Sequence, residues 1–96
     1  MPQIEQCQPW FLYVIQCANG HLYTGVTTDV ARRFKEHQSG KKGAKFLQGK
    51  GPLTLVYQES QTNRSEAQKR EAAVKKLPRV KKLAMINSQQ NQLLQK

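Results

Sequence analysis

Two helical stripes in this 96-residue chain carry side chains that a small hydrophobic core has no use for. An apolar helical face recurs at i, i+3, i+4 and i+7. In the first stripe those positions are Val30, Arg33, Phe34 and His37, so two of the four are cationic or titratable. The second runs Ala67, Arg70 or Glu71, Val74 and Leu77, and sets the Glu71 carboxylate on the face that must meet the rest of the protein. Burying a charge is costly unless it is paired or binds a metal. One reading is structural: an Arg33–Glu71 salt bridge, or long side chains that reach back to the rim. The other is a site that handles charge and protons. Tyr13 and Tyr23 add two phenols in otherwise apolar runs, and a buried tyrosine hydroxyl needs a partner that a phenylalanine would not.

The elements that must position these residues can be read from pattern. Trp10 to Cys17 is aromatic and β-branched, which predicts a buried strand. Asn19-Gly20 is a hairpin signal, and Leu22 to Val26 predicts the returning strand. Thr28 or Asp29 can cap a helix that runs to about Gln38, with Gly40 beyond its end. Residues 39–52 form a glycine- and lysine-rich loop, and Leu53 to Glu59 alternates as a third strand. Asn63 caps a second helix, with Glu66 at the capping-box position; it stops near Leu77, ahead of Pro78. A third helix spans about 79–87. The expected order β-β-α-β-α-α gives an α+β fold, a three-stranded antiparallel sheet flanked by helices. Residues 1–8 are read as a loose arm, 9–87 as the domain, and 88–96 as a polar, frayed tail.

Parity in the hairpin sets a condition. A strict two-residue turn at Asn19-Gly20 puts Tyr13 opposite Val26 and Tyr23 opposite Gln16, which sends the two tyrosines to opposite faces. A site that uses both needs an odd-length loop or a bulge between Cys17 and Tyr23.

Charge narrows the partner. The chain carries 16 Lys and Arg against 6 Asp and Glu, with a pI near 10.0. Fifteen of those bases fall between Arg32 and Lys82, where four glutamates oppose them, a net charge of +11. A polyanion is the natural partner, because each phosphate contact releases counterions. Arg32 and the loop lysines Lys41, Lys42, Lys45 and Lys50 are the candidate backbone contacts. No apolar run suits a membrane-spanning helix, and the first residues do not read as a secretory leader, so a cytoplasmic protein with no membrane partner is expected. Cys7 and Cys17 are read as reduced thiols, and neither a zinc site nor a small-molecule cofactor is expected.

Taken in order, Phe11-Leu12-Tyr13, Tyr23-Thr24-Gly25, Arg33, His37 and Glu71 resemble the GIY-YIG nuclease superfamily. The likeness is greatest to its small stand-alone bacterial members. Tyr23 to Val30, the stretch Gly49-Lys50-Gly51-Pro52 with the strand after it, and Arg64-Ser65-Glu66-Ala67 leading to Arg70-Glu71 are similar to that branch. The resemblance covers roughly residues 10–83. Phe-Leu-Tyr stands where the family name has Gly-Ile-Tyr, Thr24 stands for Ile, and the lysine that often follows the second triplet is replaced by Val26 and Thr27.

The resemblance implies metal-dependent phosphodiester hydrolysis. By that analogy Glu71 is the sole protein ligand of one Mg²⁺ or Mn²⁺ ion, and Arg33 grips the scissile phosphate with its planar fork. A tyrosine helps deprotonate the attacking water, with Tyr23 favoured over Tyr13, and His37 orients it or relays the proton. Gly25 admits a close backbone approach or a bulge. The expected activity is a DNA endonuclease that reads shape (branches, flaps, nicks or single strands) or nothing at all. Two alternatives stand beside it. One is a non-catalytic nucleic-acid-binding module. The other is a nuclease subunit that needs a protein partner, with Val80–Ile86 as a docking helix or, more simply, as the helix that closes the core.

Overall fold

The computed structural model describes residues 9–39, 51–88 and 91–92. The order is β1 (Trp10–Gln16), β2 (Leu22–Thr27), α1 (Val30–Ser39), β3 (Thr54–Gln61), α2 (Arg64–Lys75) and α3 (Arg79–Ile86). This is the expected α+β architecture. The strands form one sheet in the order β2-β1-β3, and β1 is antiparallel to both neighbours.

Side-chain alternation on β1 divides the core in two. Tyr13, Ile15 and Cys17 face one way and pack with Val30 and Phe34 of α1, Tyr23, Leu53 and Leu55. Leu12 and Val14 face the other way and pack with Tyr57, with Val74 of α2 and Leu77 just beyond it, and with Met85 and Ile86 of α3. α3 therefore closes the core, as the simpler reading of Val80–Ile86 has it; among the described residues Val80 is the exposed large apolar side chain.

Local chemistry fixes the helix starts. The Asp29 carboxylate accepts from the Arg32 N–H at 3.1 Å, and Thr27 Oγ1 accepts from the Asp29 N–H at 3.2 Å. Asn63 Oδ1 accepts from the Glu66 N–H at 2.9 Å. The rotation of α2 about its axis has a second determinant, which sequence reading missed. Glu59 on β3 is nearly buried and receives Arg70 Nε at 2.8 Å, Gln61 Nε2 at 2.6 Å and the Tyr57 hydroxyl. Burial, with Glu59 beside it, pushes the Tyr57 pKa up to about 12. A charge with this many partners is tolerated in a small core. Because Arg70 is tied to β3, its neighbour Glu71 is turned a quarter of the way round the helix, away from that strand.

The tail also differs from expectation. Asn91 is buried, donates from Nδ2 to the Val56 and Ile86 carbonyls at 2.8 and 2.7 Å, and accepts from the Gln58 N–H at 3.3 Å. Those bonds pin the chain after α3 against β3. Asn91→Ala is expected to lower unfolding stability by about 2 kcal/mol or more, since it orphans two carbonyls and an N–H. Urea titration checks this, and an unchanged midpoint would show the contact to be dispensable.

Candidate functional site

The site begins at the turn between β1 and β2. Cys17 donates its N–H to the His21 carbonyl at 2.8 Å, and Gly20 donates to the Cys17 carbonyl at 2.9 Å. Ala18, Asn19 and Gly20 thus form a three-residue loop, and Gly20 takes φ +92°, a conformation that glycine adopts at little cost. The odd length satisfies the parity condition. Tyr13 pairs with Gly25 and Ile15 with Tyr23, so both tyrosines stand on the α1 face, with ring centroids 6.4 Å apart.

Gly25 makes room for Tyr13. A Cβ at Gly25 would lie 2.5 Å from the Tyr13 hydroxyl and 2.7 Å from Cζ, so the phenol lies flat across the glycine. Pairing between β1 and β2 is regular through Gly25; the irregular register lies between β1 and β3, at Val14/Ile15. Gly25 therefore serves packing rather than a bulge.

α1 supplies the next two groups. His37 is 2% exposed, and its Nε2 is 2.9 Å from the Tyr13 hydroxyl. Its ring also packs on both tyrosines, with centroids 5.9 Å from Tyr13 and 5.5 Å from Tyr23. Arg33, one turn earlier, donates from Nη1 to Glu36 Oε1 at 2.9 Å, and its charge bears on the Tyr13 phenol.

Burial comes first among the causes that push Tyr13 up to about 12, followed by Tyr23; Arg33 opposes them and Glu71 adds to them. Burial, with the Arg33 charge, holds His37 below its usual 6.5. Tyr13 is thus protonated and His37 neutral near pH 7. The depressed His37 value has a stability consequence. Between its folded pKa and 6.5 the unfolded chain binds the proton more readily, so this contribution is full above 6.5 and is lost as pH falls below it. The unfolding midpoint is expected to drop more steeply from about pH 7 to about pH 5 in the wild type than in His37→Gln. Parallel profiles would contradict a buried neutral imidazole.

Glu71 enters from α2. Its side chain is 23% exposed, its charge bears on Tyr13, and its Oε2 lies 3.1 Å from Lys75 Nζ. The Arg33–Glu71 bridge envisaged from sequence does not form. Each residue instead takes a partner on its own helix, Glu36 at i+3 and Lys75 at i+4, spacings that favour such pairs. Glu36 and Lys75 were the signals available in sequence and were passed over. Arg32 is exposed on α1. Lys41, Lys42, Lys45 and Lys50 lie outside the described residues.

Two tyrosines, a histidine and an arginine from β1, β2 and α1 thus gather on the α1 face of the hairpin, and the Glu71 charge on α2 bears on Tyr13. The sequence pattern of the GIY-YIG catalytic domain matches residues 9–84, which takes in all five. The chain belongs to the GIY-YIG family. Within it, the chain is 48% identical over 79 residues to a UPF0213 protein of Desulfotalea psychrophila, covering 82% of this chain and 72% of that one. It is 53% identical over 78 residues to the UPF0213 protein YhbQ of Escherichia coli (strain K12), covering 81% and 77%. The solution structure of a UPF0213 protein from Bacillus halodurans is similar, with TM-score 0.55 and 41% identity over 85% of this chain and 86% of that one. A protein of E. faecalis superposes with TM-score 0.58 at 40% identity, over 82% and 83%. GIY-YIG domains form a nuclease superfamily, and a nucleic acid is the class of substrate that goes with it. Among the described residues no helix is long and apolar enough to cross a membrane.

Proposed function

We propose that this chain is a divalent-metal-dependent endonuclease that hydrolyses DNA phosphodiester bonds, selecting by shape or not at all. The observation that carries this is the Tyr13–His37 hydrogen bond, held between the Arg33 guanidinium and the Glu71 carboxylate.

The donor set fits a hydrated ion. Among the described residues no three His, Cys, Asp or Glu side chains gather, and Glu71 is a single, half-exposed carboxylate. That suits Mg²⁺ or Mn²⁺ held by one protein oxygen, with waters and phosphate completing the shell. When bound, the ion would stabilise charge on the leaving 3′ oxygen. Arg33 is oriented by its bond to Glu36 and would grip the scissile phosphate with its planar fork.

Proton movement runs through Tyr13 rather than through Tyr23, the tyrosine favoured from sequence. With its pKa near 12, Tyr13 does not hold a standing negative charge. It passes its proton to neutral His37 Nε2 as it takes one from the attacking water. The hydroxide so formed bonds to phosphorus, and the bond to the 3′ oxygen breaks. Tyr23 packs its ring against His37 and fixes the imidazole.

Labelled duplex, single-stranded, flap and four-way-junction DNAs, incubated with Mg²⁺ or Mn²⁺ at low salt, test the reading. Metal-dependent cuts are expected, ranked by shape or equal across the panel. Tight selective binding to one short duplex sequence would overturn the shape reading. Salt-sensitive binding without cuts would identify a binding module or a nuclease that lacks its partner.

A further inference from the structure

Beyond the five converging residues, a second feature runs along the free edge of β2. A depression of about 210 Å³ is lined by Leu22, Tyr23, Thr24, Lys75 and Lys82. A second, of about 310 Å³, is lined by His21, Leu22, Arg79 and Lys82. They share Leu22 and Lys82, so they form one trench from Tyr23 to the β1–β2 turn.

Three properties give the trench a chemistry. Every formally charged residue that lines it is a base: Lys75, Arg79 and Lys82. Its apolar floor, Leu22, is half-buried and packs against the α2–α3 side of the core. Its wall contains Thr24, 3% exposed, whose buried Oγ1 has no hydrogen-bond partner among the described residues. A buried hydroxyl left without a partner is costly, and a ligand oxygen would satisfy it. The far end lies beside the turn: a Cβ at Gly20 would sit 3.7 Å from Arg79 Nη2, so this guanidinium borders the three-residue loop that aligns the tyrosines. The near end abuts Glu71 through its 3.1 Å bond to Lys75.

We infer that this trench binds the backbone phosphates that flank the scissile one, with Arg79 and Lys82 as the principal contacts and Lys75 and Thr24 nearest the cut. The inference rests on the nuclease reading above and gives the bound strand its path: across Tyr23, then along β2 towards His21. A continuous cationic groove that tracks a sugar-phosphate backbone, without groups aimed at base edges, suits binding independent of sequence.

The test is the salt dependence of binding to a fluorescent oligonucleotide, single-stranded and duplex, without divalent metal. Loss of one phosphate contact lowers the slope of log K against log salt by about 0.7 for a single strand and about 0.9 for a duplex. Arg79→Gln/Lys82→Gln is expected to lower it by about twice that, to raise KM and to leave kcat near wild type. Lys69→Gln, on the outer face of α2, is expected to leave the slope unchanged, and the charge-retaining Arg79→Lys/Lys82→Arg pair to restore most of it. A double glutamine variant with wild-type slope, or one matched by Lys69→Gln, overturns the trench while leaving Glu71-dependent cleavage intact. Absence of cleavage by the wild type, with the slope change present, keeps the trench as a backbone-phosphate groove and removes only its placement beside a scissile phosphate. A wild type that binds no oligonucleotide overturns both.

Discussion

Glu71→Ala is expected to lower the cleavage rate by about a thousandfold or more while DNA affinity stays near wild type. Glu71 is half-buried on α2, turned away from β3 by the Arg70–Glu59 pair, and its charge already reaches Tyr13. In the proposed chemistry it is the one protein oxygen on the ion. The ion's contribution to the leaving group is several kcal/mol, and each ~1.4 kcal/mol is a factor of ten. Binding should survive because, in the same proposal, the phosphate contacts fall to Arg33 and to the bases of α2 and α3. Stability should change little: the ion pair lost is a partly exposed i,i+4 pair with Lys75, and such pairs contribute at most about 0.5 kcal/mol. Quantitative cleavage, anisotropy and urea unfolding on the same preparation separate the three effects. A variant that lost binding and folding in step with activity would show Glu71 to be structural.

Gly25→Ala should rank second, with cleavage reduced by about 10² to 10⁴-fold, comparable to loss of a general base. The backbone at Gly25 has no positive φ, so alanine is conformationally acceptable there. The obstacle is steric. The added methyl would meet the Tyr13 hydroxyl and Cζ at 2.5 and 2.7 Å, and Cε2 at 3.2 Å. A phenol ring moves as a rigid unit, and relief of this clash breaks its 2.9 Å bond to His37. Overpacking of this kind also costs about 1–3 kcal/mol of stability. The diagnostic is non-additivity. If Gly25→Ala acts through Tyr13, then adding it to Tyr13→Phe should remove little further activity. Full additivity would mean that the glycine serves something other than the phenol.

Much of this geometry was legible before any coordinates. The order of elements followed from periodicity and caps, and parity constrained the hairpin, because Tyr13 and Tyr23 can share a face only across an odd loop or a bulge; the three-residue loop itself came from the coordinates. Arg33, His37 and Glu71 stood out as charges on apolar stripes, and all three lie where those stripes meet the sheet. What escaped reading depended on side-chain direction across the fold. Arg33 and Glu71 each had a partner on their own helix, and spacing alone did not choose between Glu36 or Lys75 and a bridge between the helices. The Glu59–Arg70 pair joins a strand to a helix over eleven positions, and nothing local marks it. Asn91 sits in a glutamine-rich stretch that has every sign of a frayed end, yet its amide closes three backbone bonds. Which phenol hydrogen-bonds His37 also required coordinates, since both sit in similar strands and the imidazole packs against both rings.

The central claim is that these five side chains form one metal-assisted hydrolytic site. Its most direct test is cleavage of an end-labelled four-way junction by the purified chain, with Mg²⁺, with Mn²⁺ and with chelator, run beside Glu71→Ala from an identical preparation. The account predicts discrete products that require the metal and are absent with the variant, while both proteins still shift the junction on a gel. Cuts of equal intensity from Glu71→Ala, or an intact junction bound by the wild type in both metals, would contradict it.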